Sequence, residues 1–329
     1  MPAGALVSER KLFLMGASVG LVYGLLIRLG SYFFPQSNAF VVMTLGFLLL
    51  VPFAMGFITI YLVERRSVHT FWLWLLLPWA PVFGATAATM LVYWEGMICA
   101  VIFLPIGLLL ASCGGLIGGL IARSKSSGRS KNLALGCVLA LPLLVIPWEG
   151  KILSRTELRR VDTSIDIHAS PDAVWRNIER VREIKPGELP PSWSHQIGFP
   201  APVEATLSFE GIGGVRHASF AGGVLFIETV DAWEPNQRLS FSIHAQSDQI
   251  PKATLDDHVR VGGKFFDVLR GEYVIEPLPN GEVRLYLSSE HRLTTDFNWY
   301  ARQWTDAIMK DIQTTILEVV RNRCEFSTS

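Results

Sequence analysis

Residues 97–121 have the sequence MICAVIFLPIGLLLASCGGLIGGLI, in which no side chain carries a charge. An apolar run of this length can cross the roughly 30 Å hydrocarbon core of a bilayer as a helix. Its paired glycines, Gly114 and Gly115 followed by Gly118 and Gly119, would let a neighbouring helix approach closely. The stretch therefore predicts a transmembrane helix that packs tightly against another helix.

Similar apolar runs fill the first half of the chain. With the one above, they predict five transmembrane helices at 12–34, 39–63, 71–93, 97–121 and 133–148. The fifth run has only 16 residues, fewer than the ~20 of a full crossing.

Charge separates the two halves of the chain. Residues 1–150 carry 9 Lys/Arg and 4 Asp/Glu, whereas residues 151–329 carry 20 Lys/Arg and 25 Asp/Glu. We expect an integral membrane domain at 1–150, a juxtamembrane linker at 151–160 and a water-soluble domain at 161–326. The soluble half is mildly acidic and lacks a basic stripe, so nucleic acid is not an expected partner.

Basic residues lie before the first predicted helix and in the second and fourth loops. They are Arg10, Lys11, Arg65, Arg66, Arg123, Lys125, Arg129 and Lys131. Because such residues favour the cytoplasmic side, we expect a multi-pass protein of the cell membrane with a cytoplasmic N-terminus. Five crossings would then place the C-terminal domain outside the cytoplasm. If the short fifth run only re-enters the membrane, that domain would be cytoplasmic.

Two carboxylates flank the predicted outer ends of helices. Glu95 and Glu149 each follow a Trp and precede a Gly. They fit either solvated turns at the interface or a polar pair that holds loops or a ligand head group. A carboxylate at a helix end costs far less than one at mid-membrane, so a proton relay is disfavoured.

The second half has the pattern of an α+β domain. Alternating residues at Val161–His168 predict a strand, and Ser170 with Pro171 predicts the capped start of a helix. A proline-rich loop follows, then about six antiparallel strands after residue 204 and a long helix over 297–323. The core side of that helix is predicted to carry Trp304, Ile308, Ile312 and Ile316.

Four segments and one helix residue carry a resemblance to a known family: Ile165–Trp175, Gly211–Arg216, Glu228–Trp233, Gly271–Tyr273 and Trp304. In these, residues 160–326 resemble the START-like, or SRPBCC, superfamily, which includes Bet v 1-like proteins and polyketide cyclases. The resemblance implies a helix-grip fold, in which a curved antiparallel sheet surrounds the long C-terminal helix. It also implies a cavity for an apolar or amphipathic small molecule.

Six residues are candidates for binding that molecule: Trp193, His195, Arg216, His217, Tyr300 and Trp304. Arg216 could meet a ligand carboxylate or phosphate, or pair with Glu228 across the predicted hairpin. His217 and His244 could point into the cavity as general bases or lie at the surface. Tyr300 and Trp304 could line the cavity or only pack in the core.

No metal or cofactor is expected. The histidines do not pair with other ligand residues at metal-binding spacing, and the four cysteines lack the CxxC motif. The sequence leaves three functions open. The first is a membrane-anchored protein that binds a lipid-like or other apolar molecule for transport, presentation or sensing. The second is a cyclase- or hydrolase-type enzyme, and the third is a structural or regulatory membrane protein with an unidentified protein partner.

Overall fold

The computed structural model describes residues 3–33, 43–66, 70–149, 155–246, 259–279 and 281–326. The chain divides into two compact units, Met1–Ser154 and Arg155–Ser329.

The described part of the first unit is helical. Its helices are α1 Ala3–Phe33, α2 Leu45–Glu64, α3 Phe71–Leu76, α4 Trp79–Leu91, α5 Met97–Arg123 and α6 Gly128–Glu149. Among these residues, five stretches are long and apolar enough to cross a membrane: Glu9–Gly30, Leu45–Glu64, Phe71–Leu91, Met97–Arg123 and Gly128–Ile146. They match the five predicted stretches, with residues 34 and 39–42 outside the described ranges. The predicted helix 71–93 is corrected, because Leu77 and Pro78 divide it into α3 and α4 and proline cannot donate a helical hydrogen bond.

The fifth helix is longer than its apolar run predicts. The Ser127 side chain accepts a hydrogen bond from the Ser130 backbone N–H (3.3 Å), and its carbonyl accepts one from Lys131 N–H (3.1 Å). This cap starts α6 at Gly128, so a polar turn is added to the apolar run. The helix has 22 residues and a length of about 33 Å, enough for a full crossing.

Glycines bring α2 and α5 into close contact, as the sequence of α5 predicts. A Cβ at Gly114 would overlap the Phe53 carbonyl of α2, and one at Gly118 would lie 2.6 Å from the Phe57 carbonyl. On α2, a Cβ at Gly56 would overlap the Ala111 carbonyl of α5. The two backbones therefore touch at positions that any side chain would block.

The second unit is a seven-stranded antiparallel sheet with the order β1-β7-β6-β5-β4-β3-β2. The strands are β1 Arg155–Ile167, β2 Pro202–Leu207, β3 Val215–Phe220, β4 Val224–Glu234, β5 Arg238–Ala245, β6 Phe266–Pro277 and β7 Val283–Thr295. Its helices are α7 Pro171–Glu179, α8 Trp193–Gln196 and α9 Asn298–Phe326. Helix α9 packs on β1 and β7, and this arrangement fits the helix-grip fold.

The first strand corrects the predicted linker over residues 155–160, and the rest of that linker, 151–154, lies outside the described residues. Strand β1 begins at Arg155 and pairs in continuous register from Arg155 opposite Thr295 to Ile167 opposite Val283. Its first six residues, RTELRR, are mostly charged and show no apolar alternation, because an edge strand can expose its side chains. The predicted cap of α7 is confirmed, since the Ser170 hydroxyl accepts from Ala173 N–H (3.3 Å).

Helix α9 buries a wider stripe than predicted. Its buried residues include Ala301, Ile308, Met309, Gln313, Leu317, Val320 and Cys324. Trp304 and Ile312 are only partly buried, which corrects the expectation of a single i, i+4 core row. The buried Gln313 amide donates to Val161 O (3.0 Å) and Ser289 Oγ (2.9 Å) and accepts from the Thr163 hydroxyl (2.7 Å), which fixes α9 against the sheet.

Candidate functional site

The sheet face covered by α9, here called the helix face, is tightly packed at one end. At that end, α7 and the C-terminal half of α9 close over the sheet. The closed part comprises Ile167, Val174, Trp175, Ile178, Val230, Leu239, Phe241, Tyr273, Ile275, Val283, Leu285, Leu287, Leu317, Val320 and Cys324, all buried. It is a conventional core, which holds the sheet and helices together.

The other end of the helix face is less completely covered. Antiparallel pairing brings together the starts of β4 and β6 with the ends of β5 and β7. Phe226 and Phe266 are partly exposed there, and so is Ile312 of α9, although the buried Ile308 lies one turn away. We call Phe226, Phe266, Ile312 and the neighbouring His291 the open part of the helix face.

His291 is the polar member of the open part. It is 0% exposed, and neither ring nitrogen has a hydrogen-bond partner among the described residues. Its ring centroid lies 5.5 Å from that of Phe266. Burial lowers the pKa of His291 below its ordinary value, against an opposing effect of Asp306. Burial therefore favours the neutral imidazole, which has one accepting and one donating nitrogen, and neither has a partner among the residues that the structure describes.

An ion pair borders the imidazole. Asp306 of α9 places one carboxylate oxygen 3.8 Å from His291 Nε2. The Arg159 guanidinium donates to the same carboxylate through Nε (3.0 Å) and Nη2 (2.5 Å). Arg159 lies opposite His291 in the β1–β7 pairing. The pairing of β1 with β7 and the position of α9 thus bring a carboxylate, a guanidinium and an imidazole to one place.

Arg216 lies beside the closed part and pairs with Glu228. Its Nη1 donates to the Glu228 carboxylate at 2.7 Å, and its Nη2 donates to Ile178 O at 3.1 Å. The guanidinium lies 4.7 Å from the centroid of the Phe241 ring. Burial raises the pKa of Glu228, and Arg216 opposes that rise. The cross-strand alternative is confirmed, although Arg216 Nε is buried without a partner among the described residues.

His217 and His244 lie on the opposite face of the sheet. Both are exposed, whereas their neighbours Arg216 and Ala245 are buried. Of the two alternatives for these histidines, the structure fits the surface one, because successive strand residues face opposite sides, and His217 does not lie on the helix face as a ligand-binding residue would.

Trp193 and His195 lie on the short helix α8, which is tied to α9. Asp311 of α9 accepts from the Ser192 hydroxyl (2.5 Å) and from Ser194 N–H (3.0 Å). His195 Nδ1 lies 3.2 Å from Phe199 O, its Nε2 is buried without a partner among the described residues, and burial lowers its pKa. Trp193 is 38% exposed.

Tyr300 and Trp304 contact each other on the first turns of α9. Their ring centroids are 6.4 Å apart in an edge-to-face arrangement, and both are partly buried. The predicted site residues therefore form separate groups. Trp193 and His195 lie on α8, Tyr300 and Trp304 lie on α9, Arg216 lies beside the closed part, and His217 lies on the opposite face of the sheet.

Sequence reasoning missed His291 and Asp306. The signal for His291 is the alternation of β7, in which Leu285, Leu287, Ser289, His291 and Leu293 share one face. Asp306 gives no comparable signal, because it lies on a helix side that is neither apolar nor fully exposed.

In the first unit, Glu95 and Glu149 both form hydrogen bonds. Arg28 of α1 donates from Nε to Glu95 (2.9 Å) and from Nη2 to Trp94 O (3.1 Å). The buried Glu149 of α6 accepts from Gly46 N–H at the start of α2 (2.7 Å). Both carboxylates thus hold chain segments, and Glu149 is not a solvated turn residue.

No family model matches the sequence, and no curated protein matches it. Solved structures match about half of the chain. An aromatase/cyclase, Zhui, from Streptomyces sp. R1128 is 16% identical over 53% of this chain and 97% of its own, with a TM-score of 0.34. A START superfamily protein from Mycobacterium smegmatis is 10% identical over 51% and 98%, with a TM-score of 0.33.

A truncated norcoclaurine synthase from Thalictrum flavum is 12% identical over 50% of this chain and 94% of its own, with a TM-score of 0.31. At these TM-scores, the helix-grip assignment rests on the strand order and terminal helix of this chain.

Proposed function

We propose that the protein is a membrane-anchored binding protein that holds a lipid-like or other apolar small molecule on the open part of the helix face. The observation that carries the proposal is the open part itself, where the partly exposed Phe266 contacts a buried histidine whose ring nitrogens have no hydrogen-bond partner in the described part of the chain. Ligand sites are mostly apolar surfaces with a few polar groups that orient the ligand. Transport, presentation and sensing all use such a site.

Two contributions to the binding free energy favour a ligand on the open part: a hydrogen bond to His291 and the burial of apolar side chains. A buried polar group without a partner costs about 1–3 kcal/mol, which a ligand hydrogen bond would offset. Partly exposed Phe226 and Phe266 would lose contact with water when a ligand covers them, at about 25 cal/mol per Å² of apolar area. Both effects stabilise the bound state.

The apolar helices support anchoring in a membrane. We propose that the N-terminus lies in the cytoplasm, as the basic residues indicate, and that α6 crosses fully, so that the sheet unit lies outside. Anchoring beside a bilayer would keep the local concentration of membrane-derived ligands high, so that modest intrinsic affinity suffices. A reporter fused after Ser329 should be active only outside the cytoplasm, and cytoplasmic activity would contradict five crossings.

The binding proposal is tested by extraction and mass spectrometry of the purified full chain. Phe226→Glu places a charge on the helix face, and Ile227→Glu places the same charge on the other face of the same strand. We expect an apolar compound to co-purify with the wild type and with Ile227→Glu but not with Phe226→Glu. Equal retention by both variants, or no compound above that of an unrelated membrane protein, would count against the proposal.

A second candidate function, an enzyme of cyclase or hydrolase type, is favoured by one observation. The His291 and Asp306 side chains approach to 3.8 Å, and an imidazole beside a carboxylate can act as a general base. The co-purified compound would then change mass on incubation with the wild type but remain unchanged with His291→Gln. An unchanged compound with both proteins would support binding alone.

A further inference from the structure

We infer that the open part selects apolar molecules bearing a neutral hydroxyl group over otherwise identical carboxylates, with the hydroxyl bound to His291. The inference rests on the proposed binding function and specifies the chemical class of the ligand. It follows from the groups that surround the imidazole.

The imidazole and a hydroxyl match as hydrogen-bonding groups. A neutral histidine has one nitrogen that donates and one that accepts, and a hydroxyl both donates and accepts. Both nitrogens of His291 lack partners among the described residues, and the side chain is completely buried. A single hydroxyl would therefore satisfy one of the two ring nitrogens, whichever tautomer is present.

The charges near His291 oppose an anion. The Asp306 carboxylate lies 3.8 Å from Nε2. The Nε and Nη2 atoms of Arg159 donate to Asp306, and its Nη1 lies 3.8 Å from a carboxylate oxygen of Glu157. Asp306 is thus the carboxylate that approaches His291, and the guanidinium beside it is already paired with Asp306 and Glu157. A ligand carboxylate would lose its hydration beside Asp306 without gaining a free cation.

The rest of the surroundings suit a hydrocarbon. The Phe266 ring lies against His291, and Val268 and Leu293 are buried beside it on neighbouring strand positions. A ligand that reaches the imidazole therefore contacts apolar side chains elsewhere. The geometry combines one neutral polar contact with an apolar wall.

Photolabelling of the full-length protein tests this selectivity. The protein is placed in nanodiscs of phosphatidylcholine at about pH 8, with long-chain diazirine probes that differ only in an alcohol, carboxylic acid or primary amine end. Labelling of sheet-unit peptides is divided by labelling of α1, whose exposed Leu14, Val22 and Leu26 report the local probe concentration. This ratio corrects for unequal partitioning of the probes.

We expect the alcohol to label the open part about tenfold more than the acid, the usual effect of one buried hydrogen bond. His291→Leu should bring the two probes to within about twofold, and His291→Gln should retain part of the preference because it can still donate and accept. His217→Leu, on the exposed face of the sheet, should leave the ratio unchanged. The wild-type ratio alone tests the inference if a His291 variant does not fold.

The outcomes separate the two proposals. If no probe labels the open part, the binding function fails and the selectivity fails with it. Labelling that is equal for all three probes, or strongest for the acid or the amine, overturns the selectivity but leaves binding in place. A preference for the alcohol that His291→Leu does not reduce would assign the selectivity to another group.

Discussion

In the helical unit, the buried carboxylates that the structure describes are partnered, whereas the sheet unit contains both a partnered buried pair, Arg216 with Glu228, and a buried histidine without a hydrogen-bond partner within the described ranges. In the helical unit, the buried Glu64 carboxylate accepts from Arg123 Nε (2.5 Å) and from Trp74 Nε1 (3.0 Å), so it joins helices α2, α3 and α5. Glu149 joins α6 to the start of α2. In the sheet unit, His291 is equally buried but has no hydrogen-bond partner among the described residues. The partnered groups hold a structure together, whereas the unpartnered one is suited to bind something else.

Tyr61 marks the limit of this comparison. It is fully buried in the helical unit, and its hydroxyl has no partner among the described residues. Its ring, however, stacks on Phe57 with centroids 5.6 Å apart, within a cluster that also contains Ala122. The contrast therefore lies between the buried carboxylates Glu64, Glu149 and Glu228, which have partners, and the imidazole of His291, which has none in the described part of the chain.

The largest effect is expected where the helical unit would lose a partner. Arg123→Leu leaves Glu64 with fewer donors while its side chain stays fully buried. We expect a loss of about 3 kcal/mol, the low end of the range for a broken buried pair, because Arg123 is itself 40% exposed. Thermal unfolding in detergent measures this loss.

The exposed Arg129 provides a matched control, and Arg129→Leu should change stability by less than about 0.5 kcal/mol. The double variant Glu64→Leu/Arg123→Leu should recover most of the stability, because two apolar side chains replace the charges. If Arg123→Leu and Arg129→Leu had the same thermal stability, the partner of the buried Glu64 carboxylate would not contribute to the stability of the helical unit.

A second comparison sets the closed part of the helix face against the start of α9. Leu317→Ala removes a side chain that is 1% exposed and should cost about 3 kcal/mol. Trp304→Ala removes a larger but partly exposed ring and should cost only about 1–2 kcal/mol. If Trp304 contributes to ligand binding, the first of the two alternatives for this residue, co-purification of the apolar compound should fall for Trp304→Ala and persist for folded Leu317→Ala. The reverse result would make Trp304 a core residue.

The close contact of α2 and α5 allows a third test. Gly114→Ala forces the Phe53 carbonyl to move and should cost about 1–3 kcal/mol. Gly136→Ala lies on α6, where a Cβ would meet nothing within 4 Å, and should be neutral or slightly stabilising because alanine favours helices by up to about 1 kcal/mol. Equal melting temperatures for the two variants would contradict tight packing of the helical unit.

Much of the architecture follows from local sequence signals. Ser170 predicts the start of α7, and the alternation over Val161–His168 predicts the second half of β1. The start of β1 at Arg155 was missed because a charged edge strand shows no apolar alternation. The start of α6 was missed because the Ser127 cap extends the helix through polar residues.

The candidate site was less predictable than the fold. The contact between Arg216 and Glu228 could be predicted as one alternative, because both residues lie on adjacent strands of a predicted hairpin. The approach of His291 to Asp306 joins β7 to a helix and depends on how α9 lies across the sheet. Such a contact requires tertiary geometry, and a shift of one residue would also turn His291 to the other face.

The smallest expected effect concerns pH, and it tests directly whether His291 stays unpartnered. Burial lowers the pKa of His291 in the folded protein, so between that pKa and the unfolded value near 6.5 the unfolded chain binds more protons. Stability contributed by the neutral imidazole is therefore present above about pH 6.5 and is lost as the pH falls. We expect the melting temperature of the wild type to fall between pH 7.5 and pH 5.5, and the melting temperature of His291→Leu to fall less. The pKa of His195 is also lowered by burial, so His291→Leu should retain part of the pH dependence, whereas His244→Leu on the exposed face should behave as the wild type.

If His291→Leu loses as much stability in acid as the wild type, protonated His291 must be compensated in the folded state, and Asp306 at 3.8 Å is the nearest carboxylate that could do so. The imidazole would then resemble the partnered carboxylates, and the contrast between His291 and those groups would no longer hold.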